Sequence, residues 1–66
     1  MSILNFWHEP SEKPNEKQEV LIEWEGYAGT LYHDIGIYDF DAFYFSNMPA
    51  KKLSSVKRWG YIEDLL

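Results

Sequence analysis

From residue 19 to residue 25 the chain reads Glu-Val-Leu-Ile-Glu-Trp-Glu, and Val20, Ile22 and Trp24 alternate with Glu19, Glu23 and Glu25. Alternation with period two marks a strand with one face turned inward. Leu21 is the exception on the acidic face. Gly26-Tyr-Ala-Gly29 follows, and its glycines supply the positive φ that a hairpin loop requires, so a second strand over 30–38 is predicted to fold back on the first. Within it Leu31, His33, Ile35 and Ile37 share one face, while Tyr32, Asp34 and Tyr38 share the other. Gly36 inside the run points either to a bulge, after which the faces would swap, or to a close backbone approach.

Asp39-Phe-Asp-Ala42 reads as a turn into a short strand over 43–45. Residues 46–55, with Asn47, Pro49 and three serines, read as a connecting loop. Val56 to Trp59 suits a last strand; Trp59, Ile62 and Leu66 suit one face of a short helical turn, with Gly60 at the junction. Residues 8–18 are polar and carry Pro10 and Pro14, so they form a lead-in loop, anchored by Phe6 and Trp7. The predicted architecture is mainly β, with a small α+β fold as the variant. It is an antiparallel meander of three to four strands with a short C-terminal helical turn. One domain covers 1–66, with 1–18 as lead-in and 19–66 as the strand-rich core.

Composition says where the rings must go. Three Trp, five Tyr and four Phe make up 18% of 66 residues. A chain this short buries only about 60% of the surface its unfolded form exposes. Most of the rings are therefore needed for the core, joined by Val20, Ile22, Leu31, Ile35, Ile37, Leu53, Val56 and Ile62. A monomer of this size is marginal, and self-association would help it. Cysteine is absent, which removes a disulfide framework, a thiolate metal site and a thiol nucleophile. Met1-Ser2-Ile3-Leu4 lacks the positive region and long apolar run of a signal peptide, and no stretch approaches the ~20 apolar residues of a membrane span. The expectation is a cytoplasmic protein with no membrane association.

Charge narrows the partners. The net charge is −5, against non-specific nucleic-acid binding, which relies on Lys and Arg neutralising phosphates. Residues 18–50 hold six acids and no Lys or Arg, whereas Lys51, Lys52, Lys57 and Arg58 fall within eight residues. With Trp59 they form the candidate binding surface: bases beside an aromatic ring, as single-strand binders use. The bland alternative is that Trp59 and Tyr61 are core and the charges are solvated.

Catalytic signals are lacking. His33, Asp34, Asp39 and Asp41 come nearest to a metal cluster, but neighbours on a strand point to opposite faces, and turn aspartates serve the local backbone. His33 reads as a partly buried sheet residue and His8 as exposed. Glu19, Glu23 and Glu25 share a face, where solvated, ionised carboxylates make poor acid–base catalysts. Ser11, Ser46, Ser54 and Ser55 lack a nucleophile context, and no glycine-rich loop opens a helix. No catalytic residue, metal ligand or cofactor is expected.

Two places carry a resemblance. Trp7, then Ser11-Glu-Lys-Pro14 and Glu19-Val-Leu-Ile22, is similar to the opening of short bacterial and phage proteins of domain-of-unknown-function family 551; Val56-Lys-Arg-Trp59 resembles their closing strand. The likeness covers the two ends of the chain. Lys13 stands where the family tends to place Leu, and Gly60-Tyr-Ile-Glu-Asp-Leu-Leu66 replaces its Pro-rich tail. The resemblance implies a compact, strand-rich module in bacteria, their phages or mobile elements; it names no activity. The function expected is a non-enzymatic interaction module that binds a protein partner or itself, with single-stranded nucleic-acid binding through 51–61 as the alternative.

Overall fold

The structure is a computed structural model and describes residues 6–66. The expectation drawn from Met1-Ser2-Ile3-Leu4 lies outside those residues. Strands β1 (Glu19–Glu25) and β2 (Leu31–Asp39) form the central hairpin, in a register that sets Val20 opposite Gly36 and Glu25 opposite Leu31. Its loop takes the left-handed conformation at Ala28 (φ 57°) and Gly29 (φ 77°), the second of which the glycine accepts without strain. Strands β3 (Ala42–Tyr44) and β4 (Lys51–Lys52) continue the meander. The last strand, β5 (Arg58–Tyr61), instead returns to pair with β1. The result is one antiparallel five-stranded sheet in the order β4-β3-β2-β1-β5.

The fold is thus mainly β, as the alternation predicts, with five strands where three or four were expected. Among the described residues, regular helix is limited to 3₁₀ turns at Tyr27–Gly29, Leu53–Ser55 and Ile62–Leu65. The connecting loop holds β4 and one of these turns. Gly60 sits inside β5 instead of at a strand–helix junction, and Leu66 is exposed. Gly36 makes no bulge, since the register runs through it unbroken; it is a close approach, where a Cβ would lie 2.6 Å from the Phe45 ring.

Unbroken alternation gives the sheet two faces. Val20, Ile22, Tyr38, Phe43 and Trp59 fill the inner face, closed by Leu53 and Val56 as the chain crosses from β4 to β5. Four of the eight aliphatic residues expected in the core are buried there: Val20, Ile22, Leu53 and Val56. Ile62 is half-buried. Leu31, Ile35 and Ile37 are not core. They share the opposite face with Glu19, Leu21, Glu23 and Glu25, because Trp24, Ile22 and Val20 pair with Tyr32, Asp34 and Gly36. Both halves of the hairpin offer aliphatic side chains to this second face, and only one face of so small a sheet can be covered.

The two-residue turn between β2 and β3 carries positive φ at both Phe40 (48°) and Asp41 (61°), the mirror-image geometry that suits a twisted hairpin. A bulky residue held there costs about 1–2 kcal/mol, and Phe40, at 79% exposure, recovers little by packing. Phe40→Asn should stabilise the domain by about 1 kcal/mol, raising the thermal midpoint by about 4–8 °C. Calorimetry on the two proteins checks this; an unchanged or lower midpoint would show that Phe40 has packing the turn geometry conceals.

Candidate interaction surface

The outward face of the sheet is organised in rows across the strands. Glu25 of β1 lies opposite Leu31 of β2, and Glu23 opposite both His33 of β2 and Arg58 of β5. Leu21 lies opposite Ile35 and Gly60, and Glu19 opposite Ile37, which in turn faces Tyr44 of β3. Side chains directly opposite each other on one face touch, so Leu21 with Ile35 and Ile37 with Tyr44 form a neighbouring apolar group, while Leu31, opposite Glu25, is set apart from it by His33. Leu31, Ile35, Ile37 and Tyr44 are 47%, 55%, 49% and 47% exposed. No described element packs over them. At the β5 end the lead-in segment does cover the face: Phe6 is buried against Gly60, and Trp7 stands edge-on to it at 5.1 Å.

A charged cluster borders this group. Arg58 Nε donates to Glu23 Oε1 at 2.9 Å and Nη2 to Oε2 at 3.1 Å, while His33 Nε2 lies 2.9 Å from Oε2. The guanidinium lies 4.3 Å from the Trp7 ring centroid, a cation–π contact. Glu23 is only 6% exposed. The Arg58 hydrogen bonds hold its carboxyl below the usual carboxylate range; burial opposes this, and His33 adds to it. The solvated Glu23 expected from sequence is therefore corrected: it is desolvated, yet kept ionised by its partners. Chemically the cluster ties β2, β1 and β5 together across the sheet. The sequence holds a signal for it only in retrospect, because a Glu opposite both His and Arg requires the register of three strands.

The five residues expected as a binding surface are divided between the two ends of the strand order. Lys51 and Lys52 lie on β4 and Arg58 and Trp59 on β5, at opposite edges of the sheet. Lys51 places its Nζ 3.7 Å from the Trp24 ring centroid, and Lys57 donates to Glu25 at 3.1 Å. Arg58 is held by Glu23. Trp59 is 1% exposed, stacks on His8 at 4.4 Å and donates its Nε1–H to the Glu12 carbonyl at 3.0 Å. Its ring offers no face to a base. His8 is half-buried through that stacking, not exposed. Lys52 borders a cavity of about 300 Å³ shared with Pro10, Lys13, Asp41, Leu53 and Ser54, where Lys13 and Asp41 pair at 3.2 Å.

His33 and Asp34 point to opposite faces, as neighbours on a strand do. His33 turns to Glu23 on the outer face, Asp34 accepts the Trp24 Nε1–H at 2.8 Å on the inner face, and Asp41 accepts from the Tyr38 hydroxyl at 3.1 Å. Among the described residues no three His, Asp or Glu side chains converge on one point. None of the helical segments there is long and apolar enough to cross a membrane.

Comparison with known proteins comes back empty. No family model, no curated protein and no solved structure matches the chain.

Proposed function

We propose that this chain is a cytoplasmic, non-enzymatic interaction module that docks a protein through the outer face of its sheet. One observation carries the reading: Ile35, Ile37 and Tyr44, each about half exposed, are neighbours on a single face that no described element covers. Scattered apolar side chains are ordinary on protein surfaces, whereas a contiguous group marks an interface. The rim is polar, with Glu19 and the Glu23–His33 pair beside the apolar rows, which is the usual anatomy of a docking patch. We also group the chain with the short bacterial and phage proteins of domain-of-unknown-function family 551, on the opening and closing motifs quoted above. Nucleic-acid binding through 51–61 has less support, since Lys51, Lys57 and Arg58 are engaged and Trp59 is enclosed.

The test is positional. A photo-crosslinking residue placed at Tyr44 in living cells should capture one protein, and the same residue at exposed Tyr27, on the hairpin loop, should not. Ile37→Lys should abolish that capture while shifting stability by less than about 1 kcal/mol, because the side chain already meets solvent. Equal capture from both positions, or capture that survives Ile37→Lys, would move the docking site off this face.

A further inference from the structure

Strand edges single out a second feature of β2. The β4 edge is two residues long and both are lysines, which discourages pairing. The β5 edge is occupied by the lead-in segment, through His8 N–H to the Trp59 carbonyl at 2.7 Å and Trp59 N–H to the His8 carbonyl at 3.1 Å. The β2 edge is different. β2 runs from Leu31 to Asp39, but β3 pairs only with Ile37, Tyr38 and Asp39. The stretch Leu31–Ile35 therefore has β1 on one side and no described strand on the other.

The direction of its backbone groups follows from the ladder. Hydrogen-bonded pairs alternate along an antiparallel pair. Gly26 N–H donates to the Thr30 carbonyl at 2.8 Å, and Tyr38 N–H to the Gln18 carbonyl at 3.0 Å, so even-numbered residues of β2 bond to β1 from both ends. Leu31, His33 and Ile35 consequently turn their N–H and C=O groups toward the empty side. Among the described residues none of these groups has a backbone or side-chain partner beyond the sheet pairings. The stretch holds no Lys, Pro or bulge, three of the devices that blunt an edge, and its one inward-pointing charge, Asp34, is engaged by the Trp24 Nε1–H at 2.8 Å.

We propose that a second copy of this chain adds its own β2 to this edge, antiparallel and centred on His33. The edge is complementary to itself in that register. Leu31 lies opposite the second copy's Ile35, both on the outer face, and Tyr32 lies opposite its Asp34, a hydroxyl against a carboxylate. His33 meets His33 at the two-fold axis. Two edges of this length exchange about six backbone hydrogen bonds. The pairing also joins the two outer faces, so that the apolar groups around Leu31 and Ile35 become continuous. The sequence limits the length: beyond Leu31 the second copy turns into its hairpin loop, where Tyr44 would otherwise block it. Each chain carries a charge of −5, so association should strengthen as salt screens the repulsion. A basic foreign partner would show the reverse.

Sedimentation equilibrium from about 10 μM to about 1 mM, at low and high salt, should show the mass rising from that of one chain toward two, further at high salt. Amide hydrogen exchange over the same range should slow at Leu31, His33 and Ile35, while Tyr32 and Asp34 change little because β1 already protects them. Ile35→Lys should weaken association at least about tenfold, and Ile37→Lys, whose backbone already pairs with Tyr44, should leave it intact. A mass that stays at one chain overturns the proposal. So does a dimer in which those three amides remain unprotected, or one that weakens with salt. Loss of the Tyr44 crosslink in a protein that still dimerises by this edge would count against the outer-face reading alone.

Discussion

Gly60→Ala should destabilise the domain by about 1–3 kcal/mol, a large share of what a chain of this length has to lose. A domain of 66 residues has a total stability of about 3–10 kcal/mol. The cause is steric. A methyl group built on Gly60 would overlap the ring of Phe6, which is buried on the outer face of β5. Phe6 cannot simply rotate away, because Trp7 stands edge-on to it and Trp7 in turn lies under the Arg58 guanidinium. Displacing the ring would expose a large apolar side chain and loosen the lead-in segment at once. Urea unfolding of Gly60→Ala, Phe6→Ala and the double variant measures this directly. Phe6→Ala alone should cost about 3–5 kcal/mol. In the double variant the clash is gone, so its cost should fall well below the sum of the two singles. Strict additivity would show that Gly60 matters for some reason other than Phe6.

How far the fold was legible depended on the range of the information needed. The central hairpin could be read almost residue by residue, because alternation in Glu19–Glu25 and the Gly26–Gly29 loop are local signals. Which face of β2 is inward could not. Its aliphatic row, Leu31, Ile35 and Ile37, looks more core-like than Tyr32, Asp34 and Tyr38, yet the register with β1 sends the aliphatic row outward. The decision belongs to the partner strand: Val20, Ile22 and Trp24 outweigh the lone Leu21, and β2 must follow. Hydrophobicity read along one strand is thus a poor guide where two strands disagree about the core. The return of β5 to β1 was missed for a related reason. Arg58 and Trp59 looked like the start of a basic, aromatic surface because their partners, Glu23 and Glu12, lie 35 and 47 residues away in sequence.

The same logic explains the candidate surface. The hydrophobic residues that local reading places in the core become the evidence for docking once the register turns them outward. The aromatic that looked like a binding residue goes the other way: Trp59 is enclosed. Aliphatic side chains and one tyrosine carry the outer face, and its free edge is carried by backbone groups, which sequence patterning does not report.

Acid should unfold this protein in part through Glu23. Its carboxyl is held below the ordinary value of 4.5, chiefly by the Arg58 hydrogen bonds and secondarily by His33, against the opposing effect of burial. A group whose folded value is depressed stabilises the fold fully above its unfolded value and loses that contribution as pH falls through the folded one. The contribution is therefore present at neutral pH and should disappear progressively below about pH 4.5. Glu23→Gln keeps the size of the side chain and removes its charge. At pH 7 it should cost about 1–3 kcal/mol, the worth of hydrogen bonds to a charged group, with Arg58 left facing a neutral amide. Asp41 is also held low, first by Lys13 and then by Tyr38, so the wild-type acid profile alone cannot isolate Glu23. The difference between wild type and Glu23→Gln can, because the Asp41 contribution is common to both. That difference, measured by urea unfolding from pH 7 down to about pH 3, should narrow as Glu23 takes up its proton. A gap that stays constant across the range would mean that the side chain acts through packing, and that the ion pair tying β1 to β5 contributes nothing to the fold.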